Sequence, residues 1–115
     1  MTGPAALELP DGRQVALDGD GHLRHPEDWN EDVARALATR EGLELTPEHW
    51  ELVWLLRDYH QRFEQLPAMR ALVKFAALEL GADKGRSLHL LRLFPGSPPR
   101  RIARIAGLPR PEHCL

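Results

Sequence analysis

The segment Leu45-Thr46-Pro47-Glu48-His49-Trp50-Glu51 begins the longest helix that the sequence predicts, and this helix decides the fold. Threonine is a favoured N-cap residue, and the fixed φ of a following proline suits the first helical turn. Apolar side chains then recur at helical spacing to about Gln65, as expected for one buried face. They are Trp50, Val53, Leu56, Tyr59 or His60, and Phe63.

The sequence on both sides of this helix predicts four further helices, which cover about 26–42, 67–81, 87–94 and 100–106. Proline stands near the start of most of them, and glycine follows the end of several, as capping preferences require. The connections are short, which favours a compact helical bundle. The aromatic residues fall mainly on apolar stripes, so we assign them to the core: Trp29, Trp50, Trp54, Phe63 and Phe75.

Residues 7–23 have the pattern of a β-hairpin. Asp11-Gly12 is a dipeptide favoured in tight turns, and it lies between two short apolar runs. A second turn follows at 18–21. The predicted fold class is therefore α+β but mainly α, with an N-terminal β-hairpin packed on a small helical bundle and a flexible C-terminal arm. A chain of 115 residues fits one domain, 1–115, made of a hairpin (7–23), a bundle (26–106) and an arm (107–115).

The arm carries the only cysteine of the chain, Cys114. Gly107, Pro109 and Pro111 interrupt any helix there and favour extended backbone. A stretched arm could carry the thiol ~23 Å from Gly107. Such a placement suits delivery of a reactive sulfur to another protein, whereas the alternative is a frayed tail whose cysteine has no role.

Residues 105–115, IAGLPRPEHCL, resemble the C-terminal signature of the DsrC/TusE family of sulfur-carrier proteins. Three further blocks, at 45–51, 67–74 and 91–96, resemble family motifs in the same order. Gly21-x-Leu23 with Trp29 is similar to the family's hairpin-to-helix junction. The resemblance covers the chain from about Leu9 to its end.

This resemblance implies that Cys114 accepts sulfane sulfur as a persulfide and passes it on. Relatives that partner dissimilatory sulfite reductase carry a second cysteine where this chain has Ala103, so the single thiol indicates the TusE-like branch. The implied donor is a TusBCD-like complex. The implied acceptor is an MnmA-like thiouridylase, which modifies the wobble uridine of certain tRNAs. A carrier serving dissimilatory sulfur oxidation is an alternative that one cysteine also fits.

Charge is distributed unevenly along the chain. Residues 1–83 hold 8 basic and 16 acidic side chains, whereas residues 84–115 hold 7 basic side chains and Glu112 alone. Positive charge near a thiol favours the thiolate, so Arg110 and Arg104 are candidate supporting residues. A basic end could instead bind nucleic acid, which gives a second alternative: a non-catalytic binding module.

Three other candidates could support the thiol or its partner. His113 is adjacent to Cys114 and could accept its proton, although neighbouring residues of an extended strand point to opposite faces. Arg70 and Lys74 share one face of the third predicted helix and could stabilise a persulfide anion or a docking partner.

No metal or organic cofactor is expected, because the six histidines lack metal-ligand spacing and there is no second cysteine. No apolar stretch reaches the ~20 residues needed to cross a bilayer, and the first residues lack the features of a signal peptide. We therefore expect a cytoplasmic protein with no membrane partner, and a monomer when free.

Overall fold

The computed structural model describes residues 6–109. In this range an antiparallel hairpin precedes a bundle of α-helices, which confirms the predicted fold class. The elements are β1 (Ala6–Glu8), β2 (Gln14–Ala16), α1 (Glu31–Arg40), α2 (Pro47–Phe63), α3 (Met69–Leu80), α4 (Ser87–Leu93) and α5 (Pro98–Ile105). The short helix α5 contacts all four other helices, so it lies at the centre of the bundle.

The hairpin forms where the turn dipeptide predicts it. Leu7 of β1 pairs with Val15 of β2, and both side chains are buried. Beyond β2 the chain turns again, and a single bridge joins Leu17 to Leu23. These apolar side chains cover one side of the bundle, where β1 contacts α1.

The first predicted helix is wrong in its N-terminal part. Pro26–Asp28 forms a separate 3₁₀ turn, and the backbone is extended at Trp29. α1 begins only after Asn30, whose side-chain oxygen accepts a hydrogen bond from the Val33 amide at 2.9 Å. Asparagine is a strong N-cap, so a new helix starts there instead of continuing from the proline. The break turns the Trp29 side chain toward α5.

α2 begins at the predicted cap, and His49 adds a contact that capping preference alone does not predict. Nδ1 of His49 accepts a hydrogen bond from the Thr46 amide at 3.1 Å, which completes a capping box. Its Nε2 lies 2.9 Å from the Leu93 carbonyl oxygen. A carbonyl only accepts, so the proton is on Nε2 and the imidazole ties the start of α2 to the end of α4.

The assignment of five aromatic residues to the core is wrong at two positions on α2. Trp54 is 44% exposed and Phe63 is 48% exposed. The buried face of α2 is turned relative to the predicted stripe and includes Leu52 and Leu55, because α3 and α5 pack against it from different sides. Phe63 still contacts Tyr59, with ring centroids 4.6 Å apart.

The remaining helices match the sequence-based pattern closely. α3 begins at Met69, two residues after the predicted start, and buries Leu72 and Ala76 as expected. In α5, Ile102 and Ile105 point into the core with no exposed surface. The α5 helix is therefore held by apolar contacts along its length.

We predict that His49→Ala lowers the free energy of unfolding by about 1–3 kcal/mol, because it removes the cap contact and leaves the Leu93 carbonyl without its donor. Urea denaturation measures the change. His25→Ala is the matched control, since His25 is exposed and makes no side-chain cap hydrogen bond. Equal stability of the two variants would contradict this role of His49.

Candidate functional site

The candidate site is the point where the chain leaves the bundle toward Cys114. Cys114, His113 and Arg110 lie outside the described residues, so their placement stays a sequence-based prediction. The described chain extends to Pro109, five residues before the thiol. Its final residues connect the bundle to the segment that contains the thiol.

Gly107 and Leu108 belong to the packed body and not to the arm that was expected to begin at 107. Both residues are buried, and Pro109 is the first exposed residue after them. The Leu108 amide donates a hydrogen bond to the Ala103 carbonyl at 3.0 Å, and the Gly107 amide donates to the Arg104 carbonyl at 3.2 Å. These bonds close the C-terminal end of α5 with a glycine in the left-handed region, as is common at helix ends.

Three side chains from other parts of the chain hold the backbone at this end of α5, and we call them the arm clamp. His22 Nδ1 lies 3.1 Å from the Leu108 carbonyl oxygen, and it must carry the proton because the carbonyl only accepts. Trp29 Nε1 donates to the Ile105 carbonyl at 2.9 Å. Arg57 donates to the Ala106 carbonyl through one of its terminal nitrogens.

Sequence reasoning missed the clamp. Trp29 was assigned to the core, whereas His22 and Arg57 were given no role of their own. Trp29 and Gly21-x-Leu23 were also identified as part of a family motif. Their partners lie 49 to 86 residues away in the chain, so local pattern contains no sign of the contacts.

Arg57 is a half-buried cation beside aromatic rings. Its guanidinium carbon lies 3.8 Å from the centre of the Trp29 ring and 6.0 Å from that of Trp54. Burial lowers the pKa of Arg57 below its usual value, although the group stays charged. In the part of the chain that the structure describes, no carboxylate pairs with it. The ring face and one carbonyl oxygen are its stabilising neighbours.

The arginines of α5 differ from Arg57 because two of them are already paired. Arg101 donates to the Glu41 carboxylate at 2.9 Å and to the Pro95 carbonyl at 2.8 Å. Nε of Arg104 lies 3.0 Å from the same carboxylate, close enough for an ion pair but not aligned for a hydrogen bond. Both therefore fix α5 to the end of α1. Arg100 is exposed.

Arg70 and Lys74 are both exposed on α3, on the face away from Leu72 and Ala76. They share that face, as the spacing predicts. No described contact joins either side chain to the base of the arm, so the structure does not bring them together with the clamp.

Residues 6–109 contain no group of three or more histidine, cysteine, aspartate or glutamate side chains able to hold a metal ion. None of the helices in that range is long and apolar enough to cross a membrane.

We predict that Gly107→Ala destabilises the protein by about 1–2 kcal/mol more than Gly42→Ala, because the clash with Trp29 adds to the strain of a left-handed backbone. The two glycines have similar φ values, +72° and +78°. A Cβ on Gly107 would overlap the Trp29 ring, whereas one on Gly42 would meet nothing within 4 Å. Thermal and urea unfolding compare the variants, and equal losses would show that Trp29 does not hold this turn.

Known proteins similar to this chain place it in a family. The family model described as DsrC like protein matches residues 10–115. A sulfurtransferase TusE homolog of Haemophilus influenzae is 49% identical over 104 residues, which cover 90% of this chain and 95% of the relative. The sulfurtransferase TusE of Escherichia coli is 42% identical over 105 residues, or 91% of this chain and 96% of that protein.

Solved structures agree with this placement. The DsrC protein of Allochromatium vinosum superposes with a TM-score of 0.85 at 40% identity, covering 96% of this chain and 100% of that one. The oxidized gamma-subunit of the dissimilatory sulfite reductase from Archaeoglobus fulgidus, also a DsrC, gives a TM-score of 0.81 at 39% identity with the same coverage. The predicted fold and the assignment to a sulfurtransferase family are confirmed. The chain belongs to the DsrC-like protein family and is a homologue of the TusE sulfurtransferases.

Proposed function

We propose that this protein is a sulfur carrier that accepts sulfane sulfur as a persulfide on Cys114 and relays it to a second protein. The observation that carries the proposal is the 49% identity, over 90% of the chain, to a sulfurtransferase TusE homolog. The geometry of the described residues supports it, because the chain leaves a firmly held base at Pro109, five residues before its only thiol.

The transfer proceeds by two exchanges at sulfur. The Cys114 thiolate attacks the outer sulfur of a donor persulfide, the donor's sulfur–sulfur bond breaks, and the donor leaves as a thiolate that takes up a proton. Cys114 then carries the extra sulfur as Cys114-S-SH. An acceptor thiolate attacks that outer sulfur and regenerates the Cys114 thiolate. One sulfur atom moves at each step with no net oxidation, so no external oxidant or cofactor is needed.

Positive charge near the thiol supports the thiolate form that both exchanges need. Arg110 is the nearest basic residue in the sequence, and His113 could receive the thiol proton. The structure reduces the positive charge that α5 can contribute, because the Glu41 carboxylate offsets one of the two charges of Arg101 and Arg104. The same pairing weakens the nucleic-acid-binding alternative, which needs those arginines free to contact phosphates.

The proposed pathway is transfer from a TusBCD-like donor to an MnmA-like thiouridylase in the cytoplasm, for 2-thiouridine at the tRNA wobble position. Identities of 42–49% to TusE proteins support it. So does Ala103, which stands where the resemblance places the second cysteine of sulfite-reductase partners. The likeness to DsrC structures at 40% identity keeps a carrier of dissimilatory sulfur oxidation as the second candidate.

Deleting the gene separates these two pathways. We expect the deletion to remove most 2-thiouridine from bulk tRNA, measured by mass spectrometry of nucleosides, and a plasmid copy to restore it. Normal 2-thiouridine in the deletion strain would exclude the tRNA pathway. It would leave the carrier chemistry to be assigned to sulfur oxidation.

The chemistry is tested directly with Cys114→Ser. We expect this variant to keep the melting temperature of the parent but to gain no sulfur, because it lacks the only thiol of the chain. Intact-protein mass spectrometry after incubation with glutathione persulfide measures the added mass of one sulfur atom. Peptide mapping should place that sulfur on the C-terminal peptide of the parent. Equal sulfur loading of the two proteins would overturn the proposal.

A further inference from the structure

We propose that the arm clamp, His22, Trp29 and Arg57, is a positioning device that sets the point and direction from which the arm carries Cys114. The inference rests on the proposed function of Cys114. The contacts that support it lie entirely within the described residues.

The clamp does more than end a helix. The carbonyls of Ile102 and Arg104 are already paired with the amides of Ala106 and Gly107, as at an ordinary helix end. The next carbonyls along the chain, at 105, 106 and 108, each receive a side chain from a different part of the fold. The backbone is therefore fixed through Leu108, beyond the last turn of α5.

Placing the Arg57 guanidinium in a half-buried position costs desolvation free energy, which makes it an unfavourable choice for a purely structural contact. Removing a guanidinium from water is unfavourable unless other groups replace the water. In the described chain Arg57 has a ring face and a carbonyl oxygen for this purpose, but no carboxylate. A fixed arm base gives a reason to retain this arrangement, because the guanidinium holds the Ala106 carbonyl and stacks on the Trp29 ring that holds Ile105.

The clamp limits how far the thiol can travel. From Pro109 the thiol-bearing residue is five residues away, a span of at most ~18 Å. If the chain were released back to Ala106, the span would be eight residues, or up to ~28 Å. The effective concentration of a tethered group falls roughly as the −3/2 power of tether length. Release of the chain from the clamp would therefore lower the effective concentration of the Cys114 thiol at a partner's sulfur about twofold. A partner must therefore bring its own sulfur within ~18 Å of Pro109.

The test measures the arm itself with nitroxide labels. Cys114 takes one label, and Leu78→Cys, on the exposed face of α3, takes the second. Pulsed electron–electron double resonance then gives the distribution of distances between the two labels. We expect His22→Ala and Arg57→Gln each to broaden this distribution, by about 1.3-fold for full release, because coil dimensions grow as the square root of length. Trp29→Phe loses the indole N–H and part of the ring on which Arg57 stacks, so it should also broaden the distribution.

Matched variants separate positioning from general stability. Arg35→Gln is the control, since Arg35 also lies over a tryptophan ring, at 5.3 Å from the centre of Trp50, but donates to no carbonyl of 105–108. His22→Asn is the conservative rescue, because its amide nitrogen can donate to the Leu108 carbonyl as Nδ1 does. We expect Arg35→Gln and His22→Asn to keep the parental width of the distance distribution. Melting temperatures check that every variant is folded.

The outcomes are distinct from those of the carrier hypothesis. Unchanged distance distributions in folded His22→Ala and Arg57→Gln would overturn the clamp, whatever the sulfur chemistry. Broadening in Arg35→Gln to the same extent would overturn it as well, because the effect would then be general loosening. Loading of unlabelled variants with glutathione persulfide should stay within about twofold of the parent, since a small donor does not depend on reach. A variant that loses sulfur loading while its distance distribution keeps the parental width would contradict the positioning role.

Discussion

The structure depends on the need to pair the backbone carbonyls at the end of α5 inside the protein. Unpaired carbonyls in a packed interior cost free energy, and this helix ends among buried residues. Local turns satisfy some of these groups, and the clamp satisfies the others. The three donors come from different places: His22 from the loop after the hairpin, Trp29 from the residue after the 3₁₀ turn, and Arg57 from α2. The end of α5 therefore holds three distant parts of the chain in one place.

One side of α5 is also fixed by charge. Glu41 follows α1 and its side chain is only 16% exposed, with Arg101 on one carboxylate oxygen and Arg104 beside the other. Arg101 also donates to the Glu41 backbone carbonyl at 3.0 Å, so the contact fixes the main chain as well as the side chain. A partly buried pair of this kind depends on having both partners, since removing one leaves the other charge poorly solvated. A helix of eight residues would be marginal alone, and these contacts hold it at the centre of the bundle.

Sequence was informative where structure is decided locally. The Thr46 cap, the Asp11-Gly12 turn and the apolar spacing of α5 all act within a few residues, and the structure has each of them as predicted. Sequence was less informative where distant parts meet. The hydrogen bond of Trp29 to the Ile105 carbonyl and the exposure of Trp54 both depend on how distant parts of the chain pack, which periodicity within one helix does not contain.

Charge near the thiol shows why the candidate site could be predicted only in part. Counting along the sequence places the positive charge in residues 84–115, but folding pairs Arg101 and Arg104 with a carboxylate from the acidic part of the chain. Conversely, Arg57 belongs to the acidic part by sequence and yet contributes an unpaired guanidinium, within the described residues, at the base of the arm. The charge at the base of the arm therefore depends on tertiary contacts as well as on the composition of the neighbouring segment.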